Sequence, residues 1–271
     1  MPEPHPQLAA WIEVWKQSAD DLTALLDQLD AADWDRQTDL PGWDVRAVAS
    51  HVAHLEKVLA TGEEEHAEVP EAPHVKGLMG TYTEIGVVNR RETDPAQIVA
   101  EIRESVEKRY ADLQADPPTD PDEVPAGIFG GMPWPWKQLL RNRPLDLWMH
   151  EQDVRRATGR PGGMDSEPAR HTAEYLAESL GFVLGKKVGA APGTTLVLEM
   201  TGSSPYGFEI GEDGRGRPVD PPADPTVRLR MDRESFIRLA GGRCDAEPGA
   251  VTIEGDLELG GQVVTAMATT P

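Results

Sequence analysis

Residues 146–150 read Asp146-Leu147-Trp148-Met149-His150, and residues 50–55 read Ser50-His51-Val52-Ala53-His54-Leu55. A helix turns once every 3.6 residues, so Asp146 and His150 share one face of a helical segment, as do His51 and His54. Two helices that offer imidazole and carboxylate to a common interior make a metal site inside a helical bundle. The fold reading therefore depends on whether these two stretches are helical and meet.

Working outward, the surrounding periodicity is helical. From Pro6 to Leu29, a broad apolar stripe runs through Leu8, Ile12, Trp15, Leu22, Leu25, Leu26 and Leu29. Leu40-Pro41-Gly42-Trp43 marks a turn, and Asp44 is placed to cap a helix reaching about Ala60. Residues 61–75 are acidic and contain proline, which predicts a loop; a weaker helical segment follows to about Arg90. Asp94-Pro95 starts a helix carrying Ile98, Ile102, Val106, Tyr110 and Leu113. The stretch PPTDPDEVPAGIFGGMPWP (117–135) is too rich in Pro and Gly for one regular element, and predicts an ordered crossover near the bundle mouth. Residues 136–158 are helical again, with Pro144 expected to kink the helix or begin it. Gly159-Arg160-Pro161-Gly162-Gly163 reads as a domain boundary, dividing the chain into 1–163 and 164–271.

Beyond that boundary the pattern changes. One helix is expected over 166–186, then strands over 194–200 and 206–210, a glycine-rich turn at 211–217, and a half-buried strand over 227–231. Asp232 begins a short helix, residues 250–254 form a last strand, and Asp256 caps a terminal helix. The fold class is thus a helical bundle followed by a smaller α+β domain.

With 271 residues, 39% of them hydrophobic, the chain can build two cores. No stretch reaches the roughly 18 apolar residues of a membrane span, and the N-terminus lacks the basic and apolar regions of a secretory signal. The 47 acidic residues outnumber 26 basic ones, giving a formal charge of -21, which argues against nucleic acid or an anionic membrane as partner. One cysteine, Cys244, excludes an internal disulfide and any multi-cysteine zinc site. Without a histidine near it in sequence, Cys244 reads as a buried, inert thiol. The expected location is the cytoplasm.

Imidazole and carboxylate oxygen suit a divalent transition metal, and a catalytic site commonly has three protein ligands and an open position. His51, Asp146 and His150 supply that set. Asp146 has an alternative partner in Arg143, and the histidines could be ordinary structural residues. His54 could be a fourth ligand, a catalytic base or a partly exposed residue near the polar border of the helix, and is read as a catalytic or cavity residue. Glu151 is spaced to contact Arg155, and Asp153 is expected to bond loop backbone.

Three blocks in order, LPGWDVRAVASHVAHL (40–55), LDLWMHEQDVRRATGRPGG (145–163) and RLAGGRCDAEPGAVTIEGDLEL (238–259), carry a resemblance over nearly the whole chain. It is similar to the mycothiol-dependent maleylpyruvate isomerase family of actinobacteria. The resemblance implies a DinB-like four-helix bundle followed by a sterol-carrier-like α+β domain. It implies a divalent metal, commonly zinc, on His51, Asp146 and His150. The characterised pattern has glutamate where this chain has Asp146, one methylene shorter. Arg243 matches the family's arginine and is expected to bind a carboxylate of an anionic substrate or of the thiol, through a planar fork that lysine lacks.

The implied mechanism uses mycothiol as cofactor or cosubstrate. The metal lowers the thiol pKa, and the thiolate adds to a double bond of a small unsaturated acid. Rotation and expulsion then give the trans isomer. A mycothiol S-transferase acting on electrophiles, a metal-dependent hydrolase and a noncatalytic metal-binding or stress-response protein are the alternatives, as a monomer or homodimer.

Overall fold

The computed structural model describes residues 4–126 and 129–270. The chain groups into two compact units, Met1–His171 and Thr172–Pro271.

The first unit is helical. Its helices are α1 (Pro6–Leu26), α2 (Val45–Thr61), α3 (Gly77–Asn89), α4 (Pro95–Ala115) and α5 (Trp136–Thr158). Local chemistry sets their ends. The Asp44 carboxylate accepts the Ala47 N–H at 2.8 Å, and Gly62 closes α2 in the left-handed conformation at φ +71°. Asp94 caps α4 by accepting the Ala96 N–H, with Pro95 in the first turn. Gly159 ends α5 at φ +66°, and Arg155 and Arg156 sit in its last turn, where cations suit the helix dipole.

Helices α1, α2, α4 and α5 enclose the core. Trp15, Leu22, Val48, Val52, Ile98, Ile102, Leu140 and Leu147 are packed into it. Each fully buried aliphatic side chain contributes about 1.5–3 kcal/mol. α1 packs extensively on α5 and α2 on α4, α3 lies against α2, and α2 meets α5 less extensively.

One boundary here differs from the sequence pattern. α1 stops at Leu26, because residues after it tighten into a turn that leads to a short 3-10 helix, Ala31–Asp33. α5 spans the range read from the sequence and continues through Pro144. The crossover before α5 holds a 3-10 turn, Phe129–Gly131, while Gly127 and Ile128 of that crossover lie outside the described residues.

Helix α6 (Glu167–Glu178) spans the division between the units, and is followed by α7 (Leu180–Phe182) and a π-helical turn, Val183–Lys187. The sequence suggested a single helix here. The second unit also holds a five-stranded sheet of β1 (Thr195–Met200), β2 (Tyr206–Ile210), β3 (Gly216–Val219), β4 (Val227–Met231) and β5 (Thr252–Gly255), with α8 (Arg233–Ala240) and α9 (Leu257–Thr265). The order is β3-β2-β1-β4-β5. β1 and β4 are parallel, and the other neighbours are antiparallel. Leu196, Leu198, Leu229 and Phe236 are buried in this unit. Close backbone approach requires glycine where α7 meets β3: a Cβ on Gly216 would lie 2.2 Å from the Gly181 carbonyl oxygen.

Among the described residues, no helix is long and apolar enough to cross a membrane.

Candidate metal centre

The two opening stretches do meet. His51 projects from α2, and Asp146 and His150 project from α5, four residues apart on one face. One ligand atom from each lies within 4.8 Å of the others. His51 Nε2 is 3.6 Å from Asp146 Oδ2, and His150 Nε2 is 3.7 Å from Asp146 Oδ1. Atoms bound to one tetrahedral ion by bonds of about 2.0–2.2 Å stand roughly 3.3–3.6 Å apart. The two distances run to different oxygens of Asp146, so one ion would draw the three side chains closer, and the donor set itself suits a divalent ion. Both histidines are buried, whereas Asp146 keeps 23% of its side-chain exposure, so the cluster is reached from the carboxylate side.

His150 and Asp146 are held by neighbours of their own. His150 Nδ1 lies 3.2 Å from Asp153 Oδ2. Asp153 is fully buried and also accepts a bond from Arg156 Nη2 at 2.6 Å. A neutral His150 that donates from Nδ1 to Asp153 turns the Nε2 lone pair toward Asp146, the arrangement a metal-binding imidazole needs. Burial pushes the His51 imidazole below its ordinary pKa, against the upward pull of Asp146. His51 is thus kept neutral and able to donate a lone pair. For Asp146, burial acts to raise the pKa, but the adjacent Arg143 guanidinium outweighs it and holds the carboxyl well below the usual range.

Arg143 does bond Asp146, from Nη1 to Oδ2 at 2.8 Å, so the ion pair and the ligand cluster share one carboxylate. The far edge of Arg143 donates from Nε and Nη2 to Glu56 Oε1, at 3.0 and 2.6 Å. Glu56 Oε2 accepts the Trp15 indole N–H at 3.2 Å, with Arg109 Nη1 at 3.6 Å. Arg109 lies over the Trp15 ring, 4.7 Å from its centroid, and burial lowers its pKa to about 10.

An aromatic wall stands beside the cluster. The Trp43 ring is 5.0 Å from His51 and 6.1 Å from His150, centroid to centroid. Its indole N–H donates to Glu84 Oε2 at 2.8 Å, which fixes the ring. The turn before α2 is tight: Gly42 has φ +83°, and a Cβ there would fall 2.3 Å from the His74 ring. Sequence reading used Trp43 only as a turn marker and passed over Glu56 and Glu84. A signal for Glu56 existed, because it falls on the buried face of α2 with Val45, Ala49 and Val52.

His54 is not one of the converging groups. It is fully buried, its ring is 5.3 Å from that of Tyr82, and among the described residues neither ring nitrogen has a hydrogen-bond partner. Glu151 accepts from Arg155 Nε at 2.6 Å, the contact its spacing suggested. In the second unit, Arg243 follows α8 and donates from Nη1 to the Gly241 carbonyl at 2.6 Å. Cys244 beside it is half-buried, where full burial was expected.

Comparison with known families matches both halves of the chain. The family model for the mycothiol maleylpyruvate isomerase N-terminal domain matches residues 15–155. The model for the C-terminal domain of the same family matches residues 170–262. The chain belongs to the mycothiol maleylpyruvate isomerase family. With that membership it belongs to a class of enzymes. Two similar solved structures are of the mycothiol-dependent maleylpyruvate isomerase and of a mutant of it in which one histidine is replaced by alanine. They are 17% and 16% identical to this chain, each with a TM-score of 0.58, covering 91% of this chain and 92% of theirs. At that identity the likeness is one of fold. No curated protein matches the sequence.

Proposed function

We propose that this protein is a metal- and mycothiol-dependent isomerase that adds a thiolate reversibly to a small unsaturated acid of the maleylpyruvate kind, with zinc as the metal. The observation that carries the reading is the convergence of His51, Asp146 and His150 within a domain of this family. Two imidazoles and a carboxylate suit zinc among the divalent ions. A bound ion would supply Lewis acidity and lower the pKa of a thiol or water beside it.

The protein's own groups would do the rest. His51 and His150 act as neutral donors, and Asp146 brings the one negative charge. Asp153 orients His150, and Trp43 supplies an apolar wall that limits access of water. Isomerisation leaves the thiol unchanged: a C–S bond forms as the double bond becomes single, the carbon skeleton rotates, and the same C–S bond breaks as the trans double bond returns. Arg243 would bind a substrate or thiol carboxylate through its guanidinium fork. His54, with no exposed surface, suits a supporting role behind the ligands better than contact with substrate.

We take residues 1–163 as the metal-binding bundle and 164–271 as the α+β domain, and place the protein in the cytoplasm, where small thiols stay reduced.

The test is metal analysis coupled to turnover of maleylpyruvate with and without mycothiol. The expected result is about one zinc per chain and cis–trans conversion only with thiol, the thiol being recovered. Net consumption of thiol would point to a transferase, and turnover without it to a hydrolase. His51→Ala and His150→Ala should each lose stoichiometric metal; retention by both rejects the assignment. Arg243→Lys should raise KM for the anionic substrate while leaving metal content intact, and an unchanged KM would remove Arg243 from the site.

A further inference from the structure

Asp146 is a short ligand with a mobile carboxylate. The terminal torsion of an aspartate has broad, two-fold preferences, so nothing in the side chain itself decides which oxygen faces a metal. The surroundings do decide it. Arg143 precedes Asp146 by three residues on α5 and donates from Nη1 to Oδ2 at 2.8 Å. Arg143 is itself immobilised, with only 1% exposure and two bonds from its other edge to Glu56 Oε1. Glu56 is completely buried and anchored in turn by the Trp15 indole.

We infer that Arg143 is a positioning residue for Asp146: it bonds Oδ2 from Nη1, holds the carboxylate against turning about its terminal torsion between His51 and His150, and is kept in place by Glu56. This rests on the metal-centre reading above. The guanidinium is suited to the task because its rigid fork spans two carboxylates at once, which the point charge of lysine cannot do. Partners that orient a ligand commonly matter 10–100-fold for metal affinity.

The experiment is Co2+ titration of the full chain after metal removal, followed by visible absorption, in wild type, Arg143→Met and Arg143→Lys. Cobalt reports both affinity and coordination number, so the readout does not depend on turnover. In Arg143→Met, Glu56 still has Arg109 within 3.6 Å, so it is not left without a counter-charge. Helicity and thermal melting of the metal-free forms check that the variant folds. The expected result is a loss of Co2+ affinity of about 10–100-fold with a changed visible spectrum in Arg143→Met. Arg143→Lys keeps the charge and serves if the methionine variant does not fold. It should also lose affinity and alter the spectrum. A folded variant with the affinity and spectrum of wild type overturns the inference while leaving the metal centre standing. Failure of the wild-type chain to bind Co2+ removes the metal-centre reading itself, and this inference with it.

Discussion

Two clusters of arginine and carboxylate sit in very different surroundings in this molecule. Inside the bundle, Arg143 and Glu56 are 1% and 0% exposed. On the sheet, Arg230 bridges Glu199 and Glu254, with exposures of 45%, 30% and 47%, and Arg228 joins the same carboxylates. The sheet ladder has as many short contacts as the bundle cluster. Its charges remain hydrated whether paired or not, so pairing adds only about 0–1 kcal/mol. The bundle charges have given up water, and each is tolerable only while its partner stays. Burial, not the number of ion pairs, separates a cluster that defines a site from one that decorates a surface.

That contrast can be broken by mutation, and the largest effect belongs to the bundle. Glu56→Ala leaves Arg143 and Arg109 buried without their shared carboxylate, and should cost about 3–5 kcal/mol in chemical denaturation of the metal-free protein. A loss below about 1 kcal/mol would mean that water reaches the cluster and the contrast fails. His54 comes next, because it is buried with no compensating partner. Burial lowers its pKa from 6.5 to about 4. Between those values the unfolded chain takes up a proton that the folded chain refuses. The His54 contribution to stability is therefore complete above pH 6.5 and lost as pH falls toward 4, by roughly 3 kcal/mol in all. His54→Phe should flatten that part of the stability–pH curve measured in chelator, and an unchanged slope would show that His54 is not its source. The smallest effect is expected on the sheet. Glu199→Gln should change stability by no more than about 1 kcal/mol, and added salt should erase the difference. A salt-resistant loss of several kcal/mol would put this ladder in the same class as the bundle cluster.

The sequence exposed those parts of the fold whose causes are local. α2, α4 and α5 announce themselves through an aspartate cap, an Asp-Pro start and a closing glycine, together with apolar residues at helical spacing. β3 was hidden because it is short, carries Pro218, and begins within a glycine-rich stretch that reads as a turn. It is an edge strand, the one place where a residue lacking an N–H is readily accommodated. The break after α6 was likewise invisible, and the close approach of the Gly181 and Gly216 backbones just beyond it joins residues far apart in the chain. In the site, His51, Asp146, His150 and the Arg143 contact were legible from spacing and resemblance. Glu56, Trp43 and Glu84 were not, because their partners lie far away in the chain: Trp15 and Arg143 for Glu56, and Glu84 for Trp43.

Glu56 is also where polar groups from the four core helices meet: the Trp15 indole comes from α1, Glu56 from α2, Arg109 from α4 and Arg143 from α5. His51 sits on the same helix as Glu56, and Asp146 and His150 on the same helix as Arg143. The pair α2 and α5 thus meets at two points, the Arg143–Glu56 ion pair and the cluster of His51, Asp146 and His150. Sliding either helix by a single turn, about 5.4 Å, would separate both sets together. The three side chains can therefore converge only in a bundle whose helices have found their register, so on the metal-centre proposal ion capture would gauge correct assembly.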